Sequence, residues 1–269
     1  MFASTTVNGY VTAMDCSMEE TKTNVVAIIP ARYHSNRFEG KPLALIAGKP
    51  MIQHVVERAQ QVNLLTRVVV ATDDQRIADA VHGFGGEVVM TGSNHASGTD
   101  RLAEAAELLG IDEQDVVVNI QGDQPLFTPE VVNQVAGPLL DDPALSMSTL
   151  IYKIIRPEEI GDPNHVKTVF DCHRNALYFS RSPIPFQRNP EEPEQPTYYK
   201  HLGFYAYRKG FLLTFVVLPE GEWERFEKLE QLRALEYGYK IRVVLTEHDS
   251  IEVDTPADAK RVENFLRQQ

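Results

Sequence analysis

Arg32, Ser35, Arg37, Gly40 and Lys41 fall within one short stretch, directly after the apolar run Val25–Ile29 and Pro30. Such a loop can wrap a polyphosphate. Guanidinium and ammonium groups neutralise phosphate oxygens, and a glycine allows close backbone approach. On charge alone the same stretch also reads as a solvated basic surface, and it is not a Walker loop. Two aspartates add a second possibility. Asp123 follows the apolar run Val116–Ile120, and Asp254 follows Ile251-Glu252-Val253. Carboxylates at two strand ends can share a divalent cation such as Mg2+, which stabilises charge building on a transferred phosphoryl group. Each aspartate alone reads equally as a turn or helix cap, and Asp254-Thr255-Pro256 is a good helix start. The serines lack a nucleophile elbow, neither cysteine has a catalytic setting, and the remaining histidines show no metal-ligand spacing.

These side chains can act together only if the fold gathers them. Short apolar runs at 25–29, 67–72, 88–90 and 116–120 predict buried strands. The intervening stretches 50–62, 75–84 and 99–109 carry helical spacing. This alternation predicts an α/β domain with a mostly parallel sheet flanked by helices. Ligands of such sheets sit beyond the carboxyl ends of the strands. The loops 31–42, 73–74, 91–99 and 121–125 would then share one edge, bringing Arg32, Arg37, Lys41, Gln121 and Asp123 together.

Downstream, 145–215 reads as antiparallel strands and a hairpin inserted on the core, interrupted by the acidic, proline-rich stretch 189–196. A helix is expected over 226–236, a last strand over 240–245 and a closing helix over 256–267. Residues 1–23 are polar and aperiodic and lack the regions of a signal peptide, so a disordered extension is expected before a single domain of 24–269.

The chain has 269 residues, 43% of them hydrophobic, enough for a packed core. Its formal charge of −12 opposes binding to nucleic acid or an anionic membrane. An anionic substrate would need a local Arg/Lys cluster working against that field. No run of about 18 apolar residues predicts a membrane span. Two cysteines, Cys16 and Cys172, fit a reducing cytoplasmic setting.

The stretch Pro30-Ala31-Arg32-Tyr33-His34-Ser35-Asn36-Arg37-Phe38-Glu39-Gly40-Lys41-Pro42 resembles the signature of sugar-activating nucleotidyltransferases, and most closely that of the CMP-Kdo synthetase family, the 3-deoxy-manno-octulosonate (Kdo) cytidylyltransferases. Five further segments match that family in order: Ser97-Gly98-Thr99-Asp100-Arg101, Gln121-Gly122-Asp123-Gln124-Pro125, the pair Tyr178–Pro185 and Lys200–Tyr207, Glu227–Arg233, and Ile251–Pro256. The resemblance implies a Rossmann-like, GT-A-like nucleotidyltransferase domain. It implies transfer of CMP from CTP to the anomeric hydroxyl of an acidic eight-carbon sugar, for lipopolysaccharide synthesis, with Mg2+ as cofactor and a homodimer as the assembly.

It also implies roles. Arg32 and Lys41 would hold the β- and γ-phosphates, with Ser35 and Arg37 supporting that loop. Pro30, Ala31, Ala71, Thr72, Asp73 and Ser97 would lie along the nucleotide. Arg101 and Gln121 would meet nucleotide and sugar, and Asp123 and Asp254 would coordinate magnesium. Arg181, His201, Tyr205, Glu230 and Gln231 would line the sugar pocket. Two positions depart from the pattern. Glu39 stands where the family has proline, which either weakens CTP binding or points a carboxylate to solvent. Gln124 stands where many members have glutamate, and some similar relatives act on 8-amino-Kdo. A sialic-type acid as acceptor, or a silent nucleotide-sugar sensor, are the competing readings. The sugar-side segments argue against the first, and retention of Lys41, Asp123 and Asp254 against the second.

Overall fold

The computed structural model describes residues 23–34, 38–189, 191 and 196–267. Ser35, Arg37, the N-terminal stretch through residue 22 and most of the acidic, proline-rich stretch lie outside the described residues. The first half alternates strictly. β1 (Val25–Ala31) leads through a single 3-10 turn, Lys41–Leu43, and a two-residue ribbon, β2 (Leu45–Ile46) and β3 (Lys49–Pro50), to α1 (Met51–Ala59). β4 (Arg67–Thr72), α2 (Gln75–Gly83), β5 (Glu87–Met90), α3 (Gly98–Leu108), β6 (Val116–Asn119) and α4 (Pro129–Asp141) follow. The second half holds β7 (Met147–Lys153), α5 (Glu158–Gly161), β8 (Lys167–Phe170), β9 (Ala176–Ser180), β10 (Tyr199–Arg208) and α6 (Lys209–Val217). The chain then closes with α7 (Glu222–Glu227), α8 (Leu232–Glu236), β11 (Arg242–Thr246) and α9 (Pro256–Leu266).

The main sheet runs β11-β7-β10-β6-β1-β4-β5. β1 pairs parallel with β4 and β6, β4 with β5, and β7 with β11. β10 is the reversed strand, antiparallel to both β6 and β7. The carboxyl ends of β1, β4, β5 and β6 therefore share one edge, as the alternation predicts.

Side-chain alternation along β1 divides the core. Val25, Ala27 and Ile29 pack with α1, α2 and α4 on one face, while Val26 and Ile28 pack with α3 and α6 on the other. Near-continuous Val and Ile suits a strand buried on both faces.

Four features differ from the sequence-based expectation. Of the antiparallel strands in 145–215, β7 and β10 are members of the central sheet, and β8 and β9 form the projecting antiparallel pair. Helices α4 and α6 had no counterpart in the pattern reading. The helix expected over 226–236 is two short helices, because Lys228 adopts a left-handed conformation with φ 53°. Residues 251–253 form no strand. They are held instead by the Val253 N–H, which donates to Asp123 O at 2.9 Å. Among the described residues, no helix is long and apolar enough to cross a membrane.

Candidate active site

Beyond the carboxyl end of β1 lies an open cleft of about 400 Å³, lined by Ala31, Arg32, Lys41, Met51, Gln121 and Asp123 together with Pro30, His34, Pro42 and Gly122. Its floor depends on a close backbone approach. A Cβ at Gly122 would lie 3.1 Å from Pro30 O, so glycine lets the β6 loop pass directly beneath the end of β1. Gly40, with φ 68°, starts the 3-10 turn that carries Lys41. The hydrogen bond from Gly40 N to Tyr33 O at 2.9 Å closes the basic loop on itself.

Lys41 is the hinge of the site. Its Nζ lies 2.7 Å from Asp123 Oδ2 and 3.3 Å from Asp254 Oδ1. Burial works to lower the Lys41 pKa, but the two carboxylates outweigh it and hold the ammonium above its ordinary value. A single cation thus already bridges two carboxylates that the fold brings together from opposite ends of the domain. Hard carboxylate oxygens around a cation-sized gap are donors that suit Mg2+, so Asp123 and Asp254 could hold it with the ammonium displaced toward an incoming phosphate. Arg32, on the next wall, donates from Nη2 to His95 O at 2.9 Å and to Ser97 O at 2.6 Å. This ties the basic loop to the start of α3. There Ser97 and Asp100 form a reciprocal capping box.

The residues at the end of β4 that are expected along the nucleotide sit on the same edge. Ala71 and Thr72 are buried, and Asp73 reaches Arg101 Nη2 at 3.0 Å. Arg101 is 1% exposed and also donates from Nη1 to Thr91 Oγ1 at 2.5 Å. Burial lowers its pKa first, and the Asp73 carboxylate pulls it back up. The guanidinium therefore clamps the ends of β4 and β5 together rather than standing in the cleft.

The sugar-side candidates gather around β10. His201 Nε2 lies 2.9 Å from Thr149 Oγ1, and Gly203 N donates to it at 3.3 Å. Burial drives the imidazole down to about 3, so it is neutral near pH 7. Tyr205 packs against His201 with ring centroids 5.1 Å apart, and burial raises its phenol well above the ordinary value. Gln121 Nε2 reaches Gly203 O at 3.5 Å, joining this group to the cleft. Glu230 accepts from Thr99 Oγ1 at 2.5 Å, and burial raises its carboxyl. Gln231 is buried, and its Nε2 has no hydrogen-bond partner among the described residues.

Arg181 stands apart from a carboxylate-binding pose. Its guanidinium donates to the carbonyls of Glu227, Pro163 and Lys228 at 2.6, 2.9 and 3.3 Å. It caps the left-handed break after α7. Glu39 is exposed, 3.7 Å from His34 Nδ1, which matches the solvent-facing alternative.

Two residues at the site escaped the pattern reading. Thr99 was quoted only as part of a motif, although its hydroxyl holds Glu230. Glu252 is open to solvent on one side yet accepts from Gln124 Nε2 at 3.3 Å. Burial pushes its carboxyl up to about 7, with the charges of Asp123 and Asp254 adding to the shift. Its two-residue spacing from Asp254 was the available signal.

Residues 26–241 match the family described as Cytidylyltransferase. A Syntrophus aciditrophicus protein named 3-deoxy-manno-octulosonate cytidylyltransferase is 58% identical, over 90% of this chain and 97% of its own. A Shewanella oneidensis protein named 8-amino-3,8-dideoxy-manno-octulosonate cytidylyltransferase is 54% identical, over 90% and 98%. A solved CMP:2-keto-3-deoxy-manno-octonic acid synthetase complexed with CTP superposes with a TM-score of 0.85 at 45% identity, covering 91% of this chain and 99% of that one. The match runs from β1 to just before β11 and takes in the basic loop after β1, the β6 loop and β10, and the chain belongs to the cytidylyltransferase family.

Proposed function

We propose that this nucleotidyltransferase moves CMP from CTP to the anomeric hydroxyl of a Kdo-type eight-carbon sugar acid. The observation that carries the reading is the convergence of Asp123 and Asp254 on Lys41 at the floor of a cleft that Arg32 also lines. The relatives named for Kdo and its 8-amino analogue support the choice of acceptor. The anomeric oxygen bonds to the α-phosphorus, the bond from that phosphorus to the bridging oxygen breaks, and pyrophosphate leaves with its electrons. The hydroxyl proton passes to solvent.

Asp123 and Asp254 would hold Mg2+, which supplies Lewis acidity at the phosphoryl oxygens and lowers the pKa of a nearby hydroxyl. Lys41 and Arg32 neutralise the triphosphate and the leaving group. Ala71, Thr72 and Asp73 flank the base and ribose. Gln121, His201, Tyr205, Glu230 and Gln231 orient the sugar. Such chemistry is mostly positioning and electrostatics, so no protein nucleophile is needed.

A homodimer belongs to the same proposal. Leu177 on β9, Phe186 and Phe226 are apolar side chains left exposed on the side of the projecting pair. A cytoplasmic setting is likewise proposed, in keeping with the exposed free thiol of Cys172. The test is pyrophosphate release from CTP and Mg2+ with Kdo, 8-amino-Kdo or a sialic-type acid. Release with either octulosonate supports the reading. Release with the sialic-type acid alone, or with none, rejects it.

A further inference from the structure

The two acceptors named among the relatives differ in one group: a hydroxyl or an amino group on carbon 8. A primary amine is an ammonium near neutral pH. A site that separates the two needs an acceptor-rich, negatively charged corner at one sugar's length from the reacting centre.

Glu252 and Gln124 form such a corner. No Lys or Arg makes an ion pair with Glu252 among the described residues, and its carboxylate is held by Gln124 Nε2 alone, at 3.3 Å. Gln124 is fully buried. Its Nε2 also donates to Leu202 O at 3.1 Å. Both neighbours of that amide edge are acceptors, so the amide must turn its NH2 toward them. Its oxygen is then left facing the other way. Gln124 Oε1 indeed has no hydrogen-bond partner among the described residues. Gln124 therefore shows its donor edge to Glu252, and the carboxylate on the open side of that contact is the acceptor that calls for a donor.

Three links place this corner on the sugar side. A methyl group at Gly203 would lie 3.9 Å from both Gln124 Nε2 and Glu252 Oε1. Gly203 sits between His201 and Tyr205, and its carbonyl receives the Gln121 amide. The Val253 N–H donates to Asp123 O at 2.9 Å, which pins the 252–254 segment against the metal-binding candidates. Two residues of chain span at most about 7 Å, so Glu252 stays within roughly one sugar of Asp254, where the anomeric oxygen must react.

Resting on the proposed transfer of CMP to a Kdo-type acid, we propose that Glu252, presented by Gln124, is a specificity-determining residue selecting an ammonium-bearing eight-carbon sugar acid over its hydroxyl counterpart. A hydroxyl makes one neutral hydrogen bond to this corner. An ammonium offers three donors and the opposite charge, and charge-assisted bonds are roughly twice as strong as neutral ones.

The experiment is steady-state pyrophosphate release by the full chain and by Glu252→Gln, with CTP, Mg2+ and each sugar acid. Wild type is expected to show the higher kcat/KM with 8-amino-Kdo, and the variant to lose that preference by about tenfold. A wild-type preference for Kdo overturns the inference, as does a preference ratio that the variant leaves unchanged. Parallel loss with both sugars at a raised Mg2+ requirement also overturns it and assigns Glu252 to the metal side. If wild type releases pyrophosphate with neither sugar, the CMP-transfer reading fails instead. If Glu252→Gln loses its melting transition, Glu252→Asp enters the same comparison, since a shortened carboxylate must also reduce the preference.

Discussion

The Lys41 ammonium sits 2.7 Å from the Asp123 carboxylate and 3.3 Å from that of Asp254, so one side chain neutralises two acids that must otherwise repel each other. On the proposed reading, the ammonium would move to the phosphates of an entering triphosphate, and the two carboxylates would then hold a divalent cation.

Asp123→Asn and Asp254→Asn test that assignment. Each removes one anionic oxygen ligand while keeping the side chain's size. We expect kcat to fall by about 10²- to 10³-fold in each, with thermal melting close to wild type. EDTA should abolish turnover, and added Mg2+ should restore it in the wild type. A variant retaining more than about half of wild-type kcat removes that aspartate from the mechanism.

Lys41→Met separates electrostatic support from catalysis. Without the ammonium the two carboxylates repel each other more strongly, so the melting temperature should drop in EDTA. Mg2+ should then raise it more than in wild type, because the cation meets no competing ammonium. In the wild type, the folded Lys41 pKa lies above its ordinary value of 10.5. Its stabilisation is therefore complete below about pH 10.5 and is lost as pH rises through the folded value. Melting curves between pH 9 and pH 12 in EDTA should show this loss in wild type but not in Lys41→Met.

How much of this was legible in the sequence depended on how local each signal was. The run from Pro30 to Lys41 and the Gln121-Gly122-Asp123 turn were readable because each follows a buried strand within a few residues. Parallel pairing then sends both to one edge. The position of β10 between β6 and β7 was not readable, since strand order is set by contacts between residues far apart in the chain. The resemblance puts Arg181 in the sugar pocket, yet its guanidinium caps carbonyls after α7, because the left-handed Lys228 leaves them in need of donors. Glu252 was hidden for the opposite reason. Its two-residue spacing from Asp254 was its one signal in the sequence, and its contacts with Gln124 and Gly203 appear only in the fold.

His201 carries a pH signature. Its folded pKa of about 3 lies far below its ordinary 6.5. Between those values the unfolded chain binds a proton that the folded chain refuses, so stability falls as pH falls. The slope from this one group approaches about 1.4 kcal/mol per pH unit. His201→Gln should flatten the acid limb of a stability profile between pH 6.5 and pH 4. It should also raise KM for the sugar acid more than for CTP. An unchanged acid limb would contradict the neutral, enclosed imidazole.

Glu39 occupies the family's proline position, and its carboxylate is exposed beside His34. Exposed ion pairs contribute little, about 0–1 kcal/mol. Glu39→Ala and Glu39→Pro should accordingly leave KM for CTP within about twofold of wild type. A several-fold fall in KM for either variant would mean that the carboxylate repels the triphosphate from the loop.

Arg101 offers the sharpest separation of scaffold from ligand contact. Its guanidinium is 1% exposed and joins Asp73 to Thr91, so it fastens the end of β4 to the turn after β5. Arg101→Met removes the cation and leaves the Asp73 carboxylate and the Thr91 hydroxyl short of a partner. Asp73 keeps 24% of its side chain exposed, so the pair is buried on one side only; leaving its partners short costs about 1–3 kcal/mol, and chemical denaturation should show a loss of that order. Arg101→Lys keeps the charge but cannot reach both partners in the same fork geometry, and should recover only part of it. A direct nucleotide contact would show a different pattern: KM for CTP rising steeply at nearly unchanged stability. Measuring denaturation midpoints and CTP kinetics on the same two variants decides between them. The burial of the guanidinium favours the first outcome, with CTP binding weakened only as far as the β4 edge loosens.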